Sequence, residues 1–191
     1  MRKIVFDCET KNIFTEVGSS DARDLDLSVV CIYDTETEKY SSFFQEELKN
    51  LWPILESADL LIGYNSDHFD IPLLNKYYSG DLTKLKSLDL LKEIKNSLGR
   101  RIKLDTVAEA TLGVNKSGHG LEAVTWWKQG KFEEVKKYCL DDVKITKDIY
   151  EYALKNGLLK YKDAGTIKDI KLDVSKWENK GNSAITQTLF G

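Results

Sequence analysis

Apolar residues first gather in Lys3 to Cys8, a short run of strand-favouring side chains whose length fits a buried strand. Residues 11–26 turn polar, carry Gly18 and the pair Ser19-Ser20, and read as a long loop, a feature compact domains mostly keep for sites. Leu27 to Tyr33 and Lys39 to Phe44 flank Asp34-Thr35-Glu36-Thr37, which predicts a β-hairpin. Glu46 to Ser57 places Leu48, Leu51, Leu55 and then Ala58 at the three- and four-residue spacings of a helix. Asp59 to Gly63 predicts another buried strand, followed by a polar loop and a helix from about Asp70 to Tyr78. From Leu88 the pattern is helical, in the segments Leu88–Leu98, Leu104–Leu112, Leu121–Lys128 and Lys131–Leu154. Beyond Gly157, Leu158–Lys162 and Thr166–Val174 flank Ala164-Gly165 as a hairpin, and Glu178–Gly191 reads as a tail. Strands first, then strand–helix alternation, then helices predict an α/β domain with helices packed on a mixed sheet.

Length and composition narrow the class. A chain of 191 residues suits one domain with an appendage; the pattern puts the main domain at 1–157 and a C-terminal extension, a hairpin plus tail, at 158–191. Its 28 basic and 31 acidic side chains leave a net charge of −3, so attraction for nucleic acid requires a local patch. One stretch offers it: from Lys76 to Lys103 there are eight basic residues and three acidic ones, although a solvated helix face accounts for the same pattern. No apolar run approaches the roughly 20 residues of a membrane span. Only Ile4, Val5 and Phe6 precede Asp7, too few for a signal-peptide core. Three widely spaced cysteines (Cys8, Cys31, Cys139) fit neither a disulfide framework nor a zinc knuckle, and the expected setting is the reduced cytoplasm.

Three acidic motifs carry the candidate chemistry. In Phe6-Asp7-Cys8-Glu9-Thr10, strand alternation sends Ile4, Phe6 and Cys8 to one face and Val5, Asp7 and Glu9 to the other. Asp7 and Glu9 then sit roughly 6.5–7 Å apart along the backbone. Like charges so placed resist joint ionisation unless a cation lies between them, and oxygen donors without Cys or His suit Mg²⁺ or Mn²⁺. The plain alternative is two acids entering a surface loop. In Gly63-Tyr64-Asn65-Ser66-Asp67-His68-Phe69-Asp70-Ile71-Pro72, the proline marks a first helical turn and puts Asp70 at or near the N-cap. Capping alone would explain Asp70; the functional reading sets it beside the first motif across the sheet, and Asp67 competes for that role. In Tyr138-Cys139-Leu140-Asp141-Asp142, Phe132, Val135, Tyr138, Cys139, Ile145 and Ile149 form an inward stripe that includes Asp142, while Asp141 falls on the charged face. A carboxylate on an apolar face is costly unless paired or metal-bound, and Tyr138, four residues earlier, shares its side of the helix.

The order and spacing of Asp7-x-Glu9-Thr10, Asn65-x-x-x-Phe69-Asp70 and Tyr138-x-x-x-Asp142 resemble the three exonuclease motifs of the DEDD superfamily, over about residues 1–155. The tyrosine matches the DEDDy subtype; the sister subtype has His five residues before the last Asp, where this chain has Lys137. Gly63-Tyr64-Asn65 and Leu104-Asp105-Thr106-Val107-Ala108 are also similar to the proofreading domains of family B DNA polymerases and to predicted bacterial ribonuclease H-like exonucleases. The resemblance implies a ribonuclease H-like fold, a mixed central β-sheet flanked by helices. It also implies metal-dependent 3′→5′ exonuclease activity on single-stranded DNA or RNA ends, with DNA the expected substrate. It makes Asp7, Glu9, Asp70 and Asp142 the metal ligands for two divalent cations, Mg²⁺ or Mn²⁺. Asp7 would bridge them, Glu9 and Asp142 would hold the ion that binds the nucleophile, Asp70 would support the second, and Tyr138 would orient the attacking water. Thr10, Phe14, Asn65 and Phe69 are the candidate substrate contacts, and His119 a loop or substrate contact. Trp126-Trp127 is expected in the core. Gln187-Thr188-Leu189-Phe190 is similar to sliding-clamp peptides, with imperfect spacing. A catalytically silent nucleic-acid-binding module of the same fold is the alternative.

Overall fold

At the centre of the sheet lies β1 (Lys3–Thr10), antiparallel to β2 (Leu27–Asp34) on one side and parallel to β4 (Leu60–Gly63) on the other. The edges are β3 (Lys39–Phe44), hairpin partner of β2, and β5 (Ser87–Asp89), parallel to β4, which gives the order β3-β2-β1-β4-β5. This computed structural model describes residues 1–114 and 120–179. His119 and the clamp-like Gln187–Phe190 segment lie outside the described residues. Among the described residues no helix is long and apolar enough to cross a membrane.

The alternation in β1 builds two cores. Ile4, Phe6 and Cys8 are buried against α2 (Leu48–Glu56), through Leu48, Leu51 and Leu55, and against α3 (Asp70–Asn75), through Ile71, Leu73 and Leu74. On the opposite face Val5, Val29, Cys31 and Ile62 meet α4 (Leu90–Leu98), α5 (Leu104–Leu112), α6 (Gly120–Lys128) and the 25-residue α7 (Phe132–Asn156). The hairpin of β6 (Leu158–Asp163) and β7 (Thr166–Lys171) contributes Leu159, Tyr161 and Ile170 to this second core. Its turn residues Ala164 and Gly165 both have positive φ, at 47° and 83°, the backbone a two-residue hairpin demands.

Several expectations need correction. The segment 11–26 is not loop throughout: α1 (Phe14–Val17) forms a helical turn there, and Ala22–Asp24 a 3-10 turn. Glu16 accepts the Ile13 amide and Gly18, at φ 66°, ends the turn, local signals that a polar composition hides. Leu88 is not helical; Ser87–Asp89 pairs with β4, and α4 begins only at Leu90 because Asp89 caps it by accepting the Leu91 and Lys92 amides. α3 stops at Asn75 rather than Tyr78. Phe132 is 44% exposed and Ile145 half-buried, so the inward stripe of α7 is narrower than the periodicity suggests. Trp126 and Trp127 are half-buried at the rim of the core, not inside it.

Gly63, the last residue of β4, makes the sharp departure into the next loop possible. A Cβ there would stand 2.4 Å from Ser66 Cβ, and Ser66 is itself buried. Gly63→Ala is therefore expected to destabilise the protein by about 1–3 kcal/mol, read as a lower urea midpoint at unchanged slope.

Candidate active site

β1 outruns its parallel neighbour. β4 pairs only with Lys3–Val5, so the C-terminal half of β1 projects past the end of β4 where strand order reverses from the β1-β2-β3 side to the β4-β5 side. Such a crevice at the carboxyl ends of strands is the usual ligand site of an α/β sheet. The Cys8 amide, left without a β4 carbonyl, donates to Asp70 Oδ1 at 2.8 Å. Asp70 is the first residue of α3 and not its cap, which is Phe69. Its carboxyl thus joins the second motif to the first, as the sequence reading required.

On the other face of β1, α7 is held by Cys139, whose Sγ lies 3.3 Å from the Asp7 carbonyl oxygen it donates to. Three residues further, Asp142 projects toward β1. Carboxylate oxygens of Asp7, Glu9 and Asp142 all lie within 4.8 Å of one another; Glu9 and Asp142 are buried and Asp7 is half-buried. Three like charges brought so close, in an apolar setting, fit the donor set of a hard divalent cation. Asp70 lines the same cavity but stands outside this group of three. Burial pushes its carboxyl up from 3.8 to about 7, against the opposing pull of the Cys8 amide. Asp67, the competing acid, is drawn away by Lys92 at 2.7 Å and by the Ser87 hydroxyl at 2.7 Å.

The cavity measures about 690 Å³, and Thr10, Phe14, Asn65, Phe69 and Tyr138 all line it with the four carboxylates. Tyr138 is buried and sets its ring edge-on to Trp126, centroids 6.0 Å apart. Phe14 and Phe69 make a T-shaped pair at 6.2 Å. Thr10 is buried, and its hydroxyl donates to the Asn12 carbonyl at 2.8 Å. Asn65 adopts the left-handed conformation, φ 68°, which asparagine tolerates better than most residues. Its amide donates to Asp89 Oδ1 at 2.7 Å, and its side-chain oxygen accepts from Arg101.

Sequence reading did not single out Asp89, Arg101, Lys103, Asp105 or Leu121 as site residues. Asp89 is buried and holds the Asn65 loop through the amides of Asn65 and Asp67; the remaining four line the cavity. The basic run contained the signal for Arg101 and Lys103 but could not separate them from Lys76, Lys86 and Arg100. Lys76 pairs with Asp26, Lys86 donates to the Trp177 and Asn179 carbonyls, and Arg100 lies against Asp163.

A mixed sheet flanked by helices, with carboxylates converging at the end of its central strand, is the architecture of a ribonuclease H-like domain. Residues 4–154 match the RNase_H superfamily, and the chain belongs to it. The structure is similar to that of the family B DNA polymerase from the hyperthermophilic archaeon Pyrobaculum calidifontis, with a TM-score of 0.63 and 19% identity. That similarity covers 81% of this chain and 24% of the polymerase chain, so this chain spans about a quarter of the polymerase and shares its fold over that part. No curated protein sequence matches. Superfamily membership and the acidic group together support a nuclease that uses divalent metal.

Proposed function

We propose that the chain is a DEDDy-type 3′→5′ exonuclease that hydrolyses phosphodiester bonds at single-stranded ends, with DNA preferred over RNA. The observation that carries this reading is the convergence of the Asp7, Glu9 and Asp142 carboxylates in one cavity with Asp70 and Tyr138. When bound, two divalent cations, Mg²⁺ or Mn²⁺, would acidify a water and offset charge on the attacked phosphate. Asp7, Glu9 and Asp142 would hold them, with Asp70 in support from the same cavity. The Tyr138 phenol orients the attacking water from the same side of α7 as Asp142. Thr10, Phe14, Asn65 and Phe69 contact the terminal nucleotides, the two rings offering stacking surface that suits an unpaired strand. Without cations the acidic group repels phosphate, so the chain alone binds its substrate weakly. Similarity in fold to a DNA polymerase favours DNA, and the three buried, free cysteines suit a cytoplasmic setting.

The test uses matched DNA and RNA single strands labelled at the 5′ end, incubated with the protein and Mg²⁺ or Mn²⁺. The expected product is a ladder shortened stepwise from the 3′ end, faster on DNA and absent in excess EDTA. Internal cuts, loss of the 5′ label as a mononucleotide, or binding without cleavage would each overturn the reading, the last in favour of a silent binding module.

A further inference from the structure

Beside the carboxylate cavity lies a second groove of about 310 Å³, between the loop that follows β4 and the exposed face of α4. Asn65, Leu91 and Arg101 line both spaces, so the two are continuous. Lys92, Lys95 and Arg101 supply the groove's cations, against Asp67 and Asp89. Neither acid is turned to a ligand: Asp67 is paired with Lys92, and Asp89 accepts the amides of Asn65, Asp67, Leu91 and Lys92. Among the described residues, exposed Lys95 forms no ion pair, and exposed Arg101 donates only to the neutral Asn65 oxygen. The segment carrying Arg101 is pinned, because the Tyr64 hydroxyl donates to the Ile102 carbonyl at 2.7 Å.

The walls of the cavity are also sorted. Phe14, Leu121 and Val124 present apolar surface, and Leu121 is 68% exposed there, while Arg101 and Lys103 present charge. A single strand has the same division, bases on one side and phosphates on the other. We infer that this groove is the binding track for the sugar-phosphate backbone of the strand behind its reacting end, with Arg101 taking the phosphate nearest the carboxylates and Lys95 one further along. The inference rests on the nuclease reading for the identity of the end, and it adds what holds the strand against an acidic centre that would otherwise repel it.

The experiment compares the intact protein with Lys95→Gln, Lys95→Glu and Arg101→Gln, and with Lys49→Gln on α2 as control, using a thymidine dinucleotide and a thymidine dodecanucleotide. Both groove residues are exposed, so folding is not at stake. Lys95→Gln is expected to raise KM for the dodecanucleotide about five- to tenfold, leaving kcat and the dinucleotide kinetics unchanged, and Lys95→Glu more. Arg101→Gln raises KM for both substrates. The slope of log KM against log salt falls by about 0.7 for each phosphate contact removed from a single strand, a change that a merely structural lysine would not cause. Lys49→Gln matches the wild type. If the wild type is active and both Lys95 variants match it on the dodecanucleotide, the track is wrong and the nuclease reading stands. If the wild type cleaves neither substrate, the nuclease reading fails. The track is then judged by fluorescence anisotropy of the labelled dodecanucleotide: weaker binding by Lys95→Glu supports it, and equal binding overturns it.

Discussion

On the proposed reading, Asp7→Asn lowers hydrolysis of a single strand by about 10³-fold or more, a loss of roughly 4 kcal/mol of transition-state stabilisation, without unfolding the protein. The two halves of this expectation have separate physical grounds. Asn is nearly the same shape as Asp, and Val5, Phe6 and Cys8, which anchor this part of β1, are untouched. Removing one of three carboxylates whose oxygens crowd within 4.8 Å relieves repulsion in the cation-free protein, so its melting temperature stays level or rises. The same change removes a hard anionic donor that an amide oxygen replaces poorly. Rates under saturating Mg²⁺, with circular dichroism melting in EDTA, check both halves. Activity within tenfold of wild type would mean that hydrolysis, if present, does not pass through this site.

The second large effect concerns Asp70. Its carboxyl is buried and raised from 3.8 to about 7. In the unfolded chain it ionises near 4, whereas the folded protein keeps the proton until about pH 7. Between those values the unfolded state has already lost its proton, so folding stability falls as pH rises, and above pH 7 the fold carries a buried carboxylate. The full difference, about three pKa units, is on the order of 4 kcal/mol. Asp70→Asn avoids it while still offering an oxygen to the Cys8 amide. In EDTA the variant should therefore exceed the wild type in urea stability by a margin that widens from pH 5 to pH 8. A margin independent of pH would show that Asp70 does not titrate in this window. Stability surrendered in this way is typical of a residue kept for its site rather than its fold.

Much of this arrangement was legible from the residues. The alternation in Lys3–Thr10 separates Asp7 and Glu9 from Phe6 and Cys8 because both faces of β1 are covered, one by α2 and α3 and the other by α7. Asp142 stood out because it interrupts an apolar stripe on α7. The helix Leu104–Leu112 has the bounds its periodicity gives. Other features depend on contacts that no local pattern encodes. The three residues of β5 become a strand only because β4 lies beside them; in isolation, Leu88 continues the helical run of α4. The position of Asp70 against Cys8 follows from β4 ending at Gly63, two residues short of the amide it would otherwise have approached. Arg101 reaches back to Asn65, 36 positions earlier in the chain, and its neighbour Arg100 turns instead to Asp163. Charge counting treats the two arginines alike; only the loop geometry distinguishes them.

The acidic group itself is tested most directly by calorimetric titration of Mn²⁺ into the intact protein and into the triple variant Asp7→Asn, Glu9→Gln, Asp142→Asn. The wild type should bind the cation and the triple variant should show no heat above dilution, with both folded by circular dichroism. Equal binding by the two proteins would place the cation elsewhere and contradict the account.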